Sequence, residues 1–309
     1  LATLTGPLLG GFLTTSVGWE WIFYVNIPFG ILSLVLVAKW VPDLPSTSRS
    51  FDVVGIVVSM LAMTGLVFGL QQGQAAGWSP WIWAMLAGSA VLFAVFVRLQ
   101  AIAPRRGVEA LVPLRLFDDP NFARGSLSIA TMAFATAANA LPVMIFVQTY
   151  DDLTALQAGL LVAPMALLSG VLAPWVGSMV ERTKANRLSM IGFGSMIVGH
   201  VAMFGVLRES VPTWTISVVV LLLGVGNAFV WAPNSTITLR GLDTRIAGAG
   251  SGVYNTTRQV GAVFGAAATA AFIEVGRAAG AGSAVFGQSL LLHAAVLCIG
   301  FAAVSGFKR

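Results

Sequence analysis

Apolar segments long enough to cross a membrane recur along the chain and are separated by short polar connections. A helix of about 20 residues is about 30 Å long, which matches the hydrocarbon thickness of a bilayer. The pattern predicts nine full spans, near residues 22–41, 53–70, 82–97, 125–147, 155–180, 188–207, 214–239, 247–273 and 289–307. An apolar piece at residues 1–13 is too short to span and is interpreted as the end of a further helix.

Composition supports this interpretation. Hydrophobic residues make up 57% of the chain and charged residues 9%, whereas soluble domains have about 25% charged residues. The apolar segments lack the strict alternation of a membrane β-barrel. We therefore expect an all-α fold, a polytopic transmembrane helical bundle with about nine full spans and an N-terminal partial helix.

Basic residues are divided unequally between the two sides that nine alternating spans define. One side carries Lys39, Arg49, Arg98, Arg105, Arg106, Arg115, Arg124, Arg182, Lys184, Arg187, Arg240, Arg245, Lys308 and Arg309, and the other carries Arg208 and Arg277. Because cytoplasmic loops are enriched in Lys and Arg, we expect the first side and the C-terminus to be cytoplasmic. Membrane orientation thus explains the net charge of +5, and no nucleic-acid partner is expected.

Side chains for catalysis or metal binding are sparse. The single cysteine, Cys298, lies in an apolar run, which leaves no disulfide framework or thiolate metal site. His200 and His293 fall in separate spans without further ligands at suitable spacing, so no metal site is expected. No nucleophile with a base and no phosphate-binding loop occurs in the sequence, and we expect no enzyme activity.

Five strings stand out along the chain: GPLLGG at 6–11, WEWIFYVNIPFG at 19–30, FDVVG at 51–55, LVPLRLFDDPNF at 111–122 and SGVYNTTRQVGAVFG at 251–265. Taken alone, the glycines and proline of GPLLGG favour close helix packing. In this order and spacing, the strings resemble the 14-helix drug:proton antiporter branch of the major facilitator superfamily. GPLLGG, with Gly6, Pro7, Gly10 and Gly11, is similar to the antiporter motif at the end of that family's fifth helix.

The resemblance implies a domain organisation. Residues 1–50 would be the end of an N-terminal helical half, 51–121 an inserted two-helix hairpin with a cytoplasmic linker, and 122–309 a C-terminal six-helix half. The family's first four helices and most of its fifth would then be missing from this chain. The multi-pass protein would lie in the plasma (inner) membrane of a bacterium.

The string GSMVERTKANR at 177–187 is similar to the cytoplasmic loop motif G-x-x-x-D-R-x-G-R-R of the superfamily. Gly177, Glu181 and Arg182 occupy the matching positions. Glu181 stands where the motif has aspartate, and the glycine and arginine that follow in the motif are replaced by Thr-Lys-Ala.

Arg258 lies roughly 11 residues into its predicted span, where a charged side chain costs about 3 kcal/mol. Asn255 lies three residues before Arg258 and four before Gln259, spacings that predict a shared helical face for these side chains. We expect this face to line or electrostatically shape a transport pathway. The alternative is a structural arginine that caps backbone carbonyls of a neighbouring helix.

A second polar stripe consists of Asn227, Trp231 and Asn234, beside Pro233. Aromatic and amide groups together suit bulky, partly apolar solutes, whereas hydrogen bonding between helices is the simpler account of the two asparagines. Asn139 is a weaker candidate for the same pathway.

These features predict a secondary active transporter that exports small, amphipathic or drug-like molecules in exchange for protons by alternating access. The proton gradient would supply the energy, and no cofactor is expected. Expected partners are membrane lipid, the solute and protons, with periplasmic or outer-membrane efflux proteins as candidates for the full-length protein. Two alternatives remain: an exporter of a metabolite, sugar or siderophore with the same architecture, and a non-transporting membrane scaffold.

Overall fold

The structure is a computed structural model that describes residues 18, 20–40, 52–73, 75–108, 110–182, 185–208, 211–243 and 246–307. Secondary structure within these ranges is helical, and no strand occurs among them. The chain forms two compact units, Leu1–Arg49 and Ser50–Arg309.

The described part of the first unit contains one helical turn, Trp21–Tyr24 (α1), and a helix, Asn26–Trp40 (α2). We predicted an unbroken span over 22–41, but the helix is interrupted at Val25. Pro28 lacks the amide hydrogen that would bond the carbonyl of Tyr24, which weakens the helix at this point. With 15 residues, α2 is shorter than the length that crosses a bilayer without adjustment.

The second unit consists of a hairpin followed by a bundle. The hairpin helices are Val53–Gln72 (α3) and Pro80–Ile102 (α4), and the bundle helices are Pro120–Ala138 (α5), Ala140–Thr149 (α6), Ala155–Arg182 (α7), Ala185–Val206 (α8), Trp214–Arg240 (α9), Ala247–Ala278 (α10) and Ala284–Ser305 (α11). The linker contains two short 3-10 helices, Ala103–Arg106 and Leu114–Asp118. With α5 and α6 counted as one span, eight spans in the described ranges are long and apolar enough to cross a membrane. The predicted all-α membrane bundle is confirmed.

The bundle is held together by an apolar core between α5, α8, α9 and α11. Helix α9 packs against α5, α7 and α8, while α5 also contacts α10 and α11. Fully buried side chains in the core include Ile129, Met132, Phe193, Met196, Leu223, Leu290 and Leu297. By contrast, α7 is largely exposed, as expected for a helix that faces lipid or another part of a transporter.

Glycines let α10 approach α5 closely. A Cβ atom at Gly261 would overlap the backbone of Ala130, and one at Gly265 would overlap the backbone of Phe134. Small residues at this spacing are a common means of close packing between membrane helices. The close approach places α10, and with it Arg258, beside the centre of the bundle.

Two histidines that the sequence assigns to separate spans meet inside the bundle. The ring centres of His200 in α8 and His293 in α11 are 5.3 Å apart, and both side chains are fully buried. Nε2 of His293 lies 2.7 Å from the Thr269 hydroxyl of α10. The pair therefore links three helices in the core, a contact that the separate spans did not indicate.

Candidate solute site around Arg258 and Trp231

Arg258 and Trp231, one residue from each of the two predicted polar stripes, meet between α10 and α9. The guanidinium carbon of Arg258 lies 5.8 Å from the centre of the Trp231 ring, within the range of a cation–π interaction. Arg258 is 11 residues from the first residue of α10, and Trp231 is nine residues from the last residue of α9. At about 1.5 Å per residue, both lie about 14 to 16 Å from the arginine-rich end of their helices, near the middle of a bilayer.

The guanidinium of Arg258 retains unused hydrogen-bond donors. Its Nε atom is buried without a hydrogen-bond partner, and the side chain makes no hydrogen bond to another residue in the described ranges. The described neighbours thus give no support to the alternative in which Arg258 caps backbone carbonyls. A half-buried cation whose donors are only partly satisfied favours the approach of an anionic or hydrogen-bond-accepting group.

Asn227 orients the Trp231 ring from one turn earlier in α9. The indole Nε1 donates to Oδ1 of Asn227 over 3.1 Å, and the Asn227 amide donates to the carbonyl of Leu223 over 3.0 Å. All polar atoms of this pair are therefore engaged on the same helix face. The indole presents its aromatic face to Arg258 while its polar edge is held by Asn227.

Asn234 has a different role from Asn227, although both belong to the same predicted stripe. It is fully buried, its amide donates to the Ser128 hydroxyl of α5, and its Oδ1 accepts from the Tyr254 hydroxyl of α10 over 2.9 Å. Asn234 thus ties three helices together, which matches the structural alternative considered for the asparagines.

Replacing Asn234 with leucine is expected to lower the stability of the full-length protein by about 1 to 3 kcal/mol, because the hydroxyls of Ser128 and Tyr254 would lose a buried partner. The thermal unfolding midpoint in detergent checks this. Tyr254→Phe is the matched control, since it removes one of these bonds and should cost about half as much. Loss of transport by Asn234→Leu at parental stability would instead place Asn234 in the pathway.

Asn255 and Gln259 are exposed on α10, whereas Arg258 is half-buried. The Asn255 amide donates to the carbonyl of Ser251 in the same helix over 3.0 Å. Helix α10 therefore presents Arg258 to α9 and these two amides to its surroundings. The structure brings Arg258 together with Trp231, which Asn227 holds from the same helix.

Asn139 lies at a break that divides one long span into α5 and α6. Pro142 has no amide hydrogen to bond the carbonyl of Ala138, so the hydrogen-bond ladder is interrupted beside Asn139. The Asn139 side chain is 94% buried, its Nδ2 lies 4.0 Å from Sδ of Met165 in α7, and its Oδ1 has no partner. We predicted an unbroken span here, whereas the structure has two helices that meet at Asn139. Discontinuous helices of this kind often supply binding groups in transporters.

The remaining motif residues fall mostly outside the part that is described. Gly6, Pro7, Gly10 and Gly11 lie outside the described residues. Gly177 lies in α7, where an added Cβ atom would meet no described atom within 4 Å. Glu181 and Arg182 are the last two residues of α7, and their side chains lie outside the described part.

Comparison with known proteins agrees with the membrane architecture. The chain is 43% identical over 276 residues to an uncharacterized MFS-type transporter of Mycobacterium tuberculosis, an alignment that covers 88% of the chain and 47% of that relative. It is 30% identical over 267 residues to multidrug resistance protein Stp of the same species, covering 86% of the chain and 49% of the relative.

A third relative is lincomycin resistance protein LmrB of Listeria monocytogenes, with 26% identity over 282 residues, 90% of the chain and 58% of the relative. The chain spans about half the length of the curated relatives it matches. The sequence profile of the Major Facilitator Superfamily matches residues 1–53 and 47–266, which include every residue of the candidate site. The chain is therefore an integral membrane protein that belongs to the major facilitator superfamily, a family of transporters and not of enzymes.

Proposed function

We propose that the full-length protein exports small, amphipathic, drug-like molecules in exchange for protons by alternating access. The observation that carries this proposal is the partly satisfied guanidinium of Arg258 facing Trp231 in the middle of the spans. Families of this fold place their solutes at mid-membrane between two helical halves.

The chemistry of the site suits an amphipathic solute. The Trp231 ring offers an apolar face, and Asn139 offers a side-chain oxygen without a hydrogen-bond partner. Arg258 would attract an acceptor on the solute or a carboxylate elsewhere in the protein. The names of the relatives, which refer to multidrug and lincomycin resistance, support solutes of this class.

Exchange with protons would provide the energy. Each proton that moves down a potential of 100 mV releases about 2.3 kcal/mol, enough to bias an alternating-access equilibrium. The distribution of arginines and lysines supports a C-terminus on the cytoplasmic side of the plasma membrane. Exchange for protons that enter the cell would move the solute outward. We propose no cofactor.

The test uses the full-length protein in proteoliposomes that contain a pH-sensitive dye. An amphipathic cationic dye, a neutral amphipathic antibiotic and a disaccharide are added in turn under an imposed proton gradient. We expect the two amphipathic compounds to accelerate proton movement and a protonophore to abolish their accumulation. A response to the disaccharide alone would favour a metabolite or sugar exporter, and no response to any compound would favour a non-transporting scaffold.

A further inference from the structure

Arg258 is the only charged residue that lies deep inside the bundle helices α5–α11 of the described part of the chain. Every other charged residue of these helices is one of the first five or last five residues of its helix: Arg124, Glu181, Arg182, Arg187, Arg240, Glu274 and Arg277. In α10, by contrast, eleven residues precede Arg258 and twenty follow it. The charge of Arg258 therefore sets the sign of the electrostatic potential on this wall of the bundle at mid-membrane.

No carboxylate of the described bundle helices lies near Arg258. Glu274 is sixteen residues further along α10, which corresponds to about 24 Å along the helix axis. Asp119 precedes α5 and caps it through the backbone N–H of Asn121, and Asp151 follows α6 and accepts from the Thr213 hydroxyl. Since Coulomb attraction falls with distance, these end groups do not replace a counter-ion in contact with the guanidinium.

The groups beside Arg258 are neutral and do not select for the charge of a solute. Trp231 lies 5.8 Å from the guanidinium carbon, and its indole N–H already donates to Asn227. Asn255 and Gln259 are exposed on the same helix as Arg258, and an amide can serve either a donor or an acceptor. A solute at this site would therefore meet an aromatic surface, neutral amides and one positive charge.

We infer that the site around Arg258 and Trp231 selects amphipathic solutes that carry a carboxylate, or a similar anionic group, beside an aromatic ring. The guanidinium offers several N–H donors in one plane, a geometry that matches the two oxygens of a carboxylate. The ring of the solute would pack against the indole of Trp231, whose polar edge Asn227 holds. A cation of the same shape would be bound by its apolar part alone and opposed by the charge of Arg258. This inference rests on the proposed export function, since it names the class of solute that this site takes.

The carboxylate that contacts Arg258 could belong to the solute or to another part of the full-length protein. If it belongs to the solute, the affinity depends on the charge of the solute. If a carboxylate of the protein pairs with Arg258 instead, the guanidinium is already neutralised and an anionic solute gains no advantage. Probes that differ in charge at constant shape distinguish the two sources.

The experiment measures the binding of three such probes to the full-length protein purified in detergent. A biphenyl carboxylate is anionic at neutral pH, the corresponding carboxamide is neutral, and the corresponding methylamine is cationic. Isothermal titration calorimetry measures their dissociation constants. We expect the carboxylate to bind at least about tenfold more tightly than the carboxamide, since a hydrogen bond to a charged group accounts for a factor of this size. The methylammonium should bind most weakly.

Three variants decide whether Arg258 causes the preference. Arg258→Gln removes the charge but keeps a hydrogen-bonding side chain, and it should abolish the advantage of the carboxylate over the carboxamide. Trp231→Leu should weaken all three probes by a similar factor and leave their order unchanged. Arg277→Gln removes a charge from the last turn of α10 and should bind the probes as the parent does.

Equal binding of the carboxylate and the carboxamide by the parent, or tighter binding of the methylammonium, would overturn the inference. A preference for the carboxylate that persists in Arg258→Gln would also overturn it. The comparison of the three probes on the parent remains decisive if Arg258→Gln does not fold. The proposed function fails separately, when the amphipathic compounds cause no proton movement in proteoliposomes although the three probes bind in the expected order.

Discussion

Replacing Arg258 with alanine in the full-length protein is expected to lower the rate of solute export by about tenfold or more. A hydrogen bond to a charged group contributes about 1.5 to 3 kcal/mol, and 1.4 kcal/mol corresponds to a factor of ten. The free donors of Arg258 and its contact with Trp231 indicate that this energy is available to a transported or coupling group. Transport in proteoliposomes, normalised to the amount of folded protein, measures the effect.

Stability distinguishes this role from a structural one. A half-buried guanidinium without hydrogen bonds to described residues is costly in a membrane, so Arg258→Ala should leave the unfolding temperature unchanged or raise it. If the guanidinium instead held backbone carbonyls, Arg258→Ala would lower the unfolding temperature. Arg258→Lys keeps the charge without the planar stacking group and should retain intermediate activity.

Arg277→Ala serves as the control on the same helix. Arg277 is exposed in the last turn of α10, at the opposite end from the arginine-rich linkers, and its removal should not change transport. Normal export by Arg258→Ala would exclude Arg258 from the pathway. A parallel loss of export and of stability would assign it a structural role.

The membrane spans could be predicted because each depends on a property of the local sequence. Hydrophobicity over about 20 residues determines whether a segment can enter lipid, irrespective of its neighbours. Interruptions of a helix within a span were harder to predict. Pro164 and Pro174 remain inside α7 and Pro233 inside α9, whereas Pro142 accompanies an interruption at Asn139. The presence of proline alone therefore does not tell which span is discontinuous.

The roles of individual polar residues depended on distant partners. Asn227 and Asn234 have equivalent positions in one stripe, but Asn234 is buried by Ser128, 106 residues away, and by Tyr254. His200 and His293 likewise meet only because α8 and α11 pack together. Helical periodicity gives the face of a residue and not the element that covers that face. Arg258 was identifiable because the cost of a charge in lipid is itself a local property.

The packing of α10 against α5 leads to the second prediction. Gly265→Leu is expected to destabilise the full-length protein by about 3 kcal/mol or more, which exceeds the usual cost of overpacking because the obstacle is backbone. The first added atom would already overlap the carbonyl oxygen and Cα of Phe134. The yield of monodisperse protein and its thermal unfolding midpoint in detergent measure this loss.

Two further variants decide whether close helix contact is the cause. Gly265→Ala adds only the overlapping Cβ and should lower the unfolding midpoint by less than Gly265→Leu, while Gly248→Leu adds the same side chain to α10 where no atom lies within 4 Å and should behave like the parent. Because α10 carries Arg258, any displacement of this helix also changes the distance between Arg258 and Trp231. Gly265→Ala should therefore reduce transport even under conditions in which it remains folded. Parental stability of Gly265→Leu would show that α5 and α10 do not approach each other at these residues.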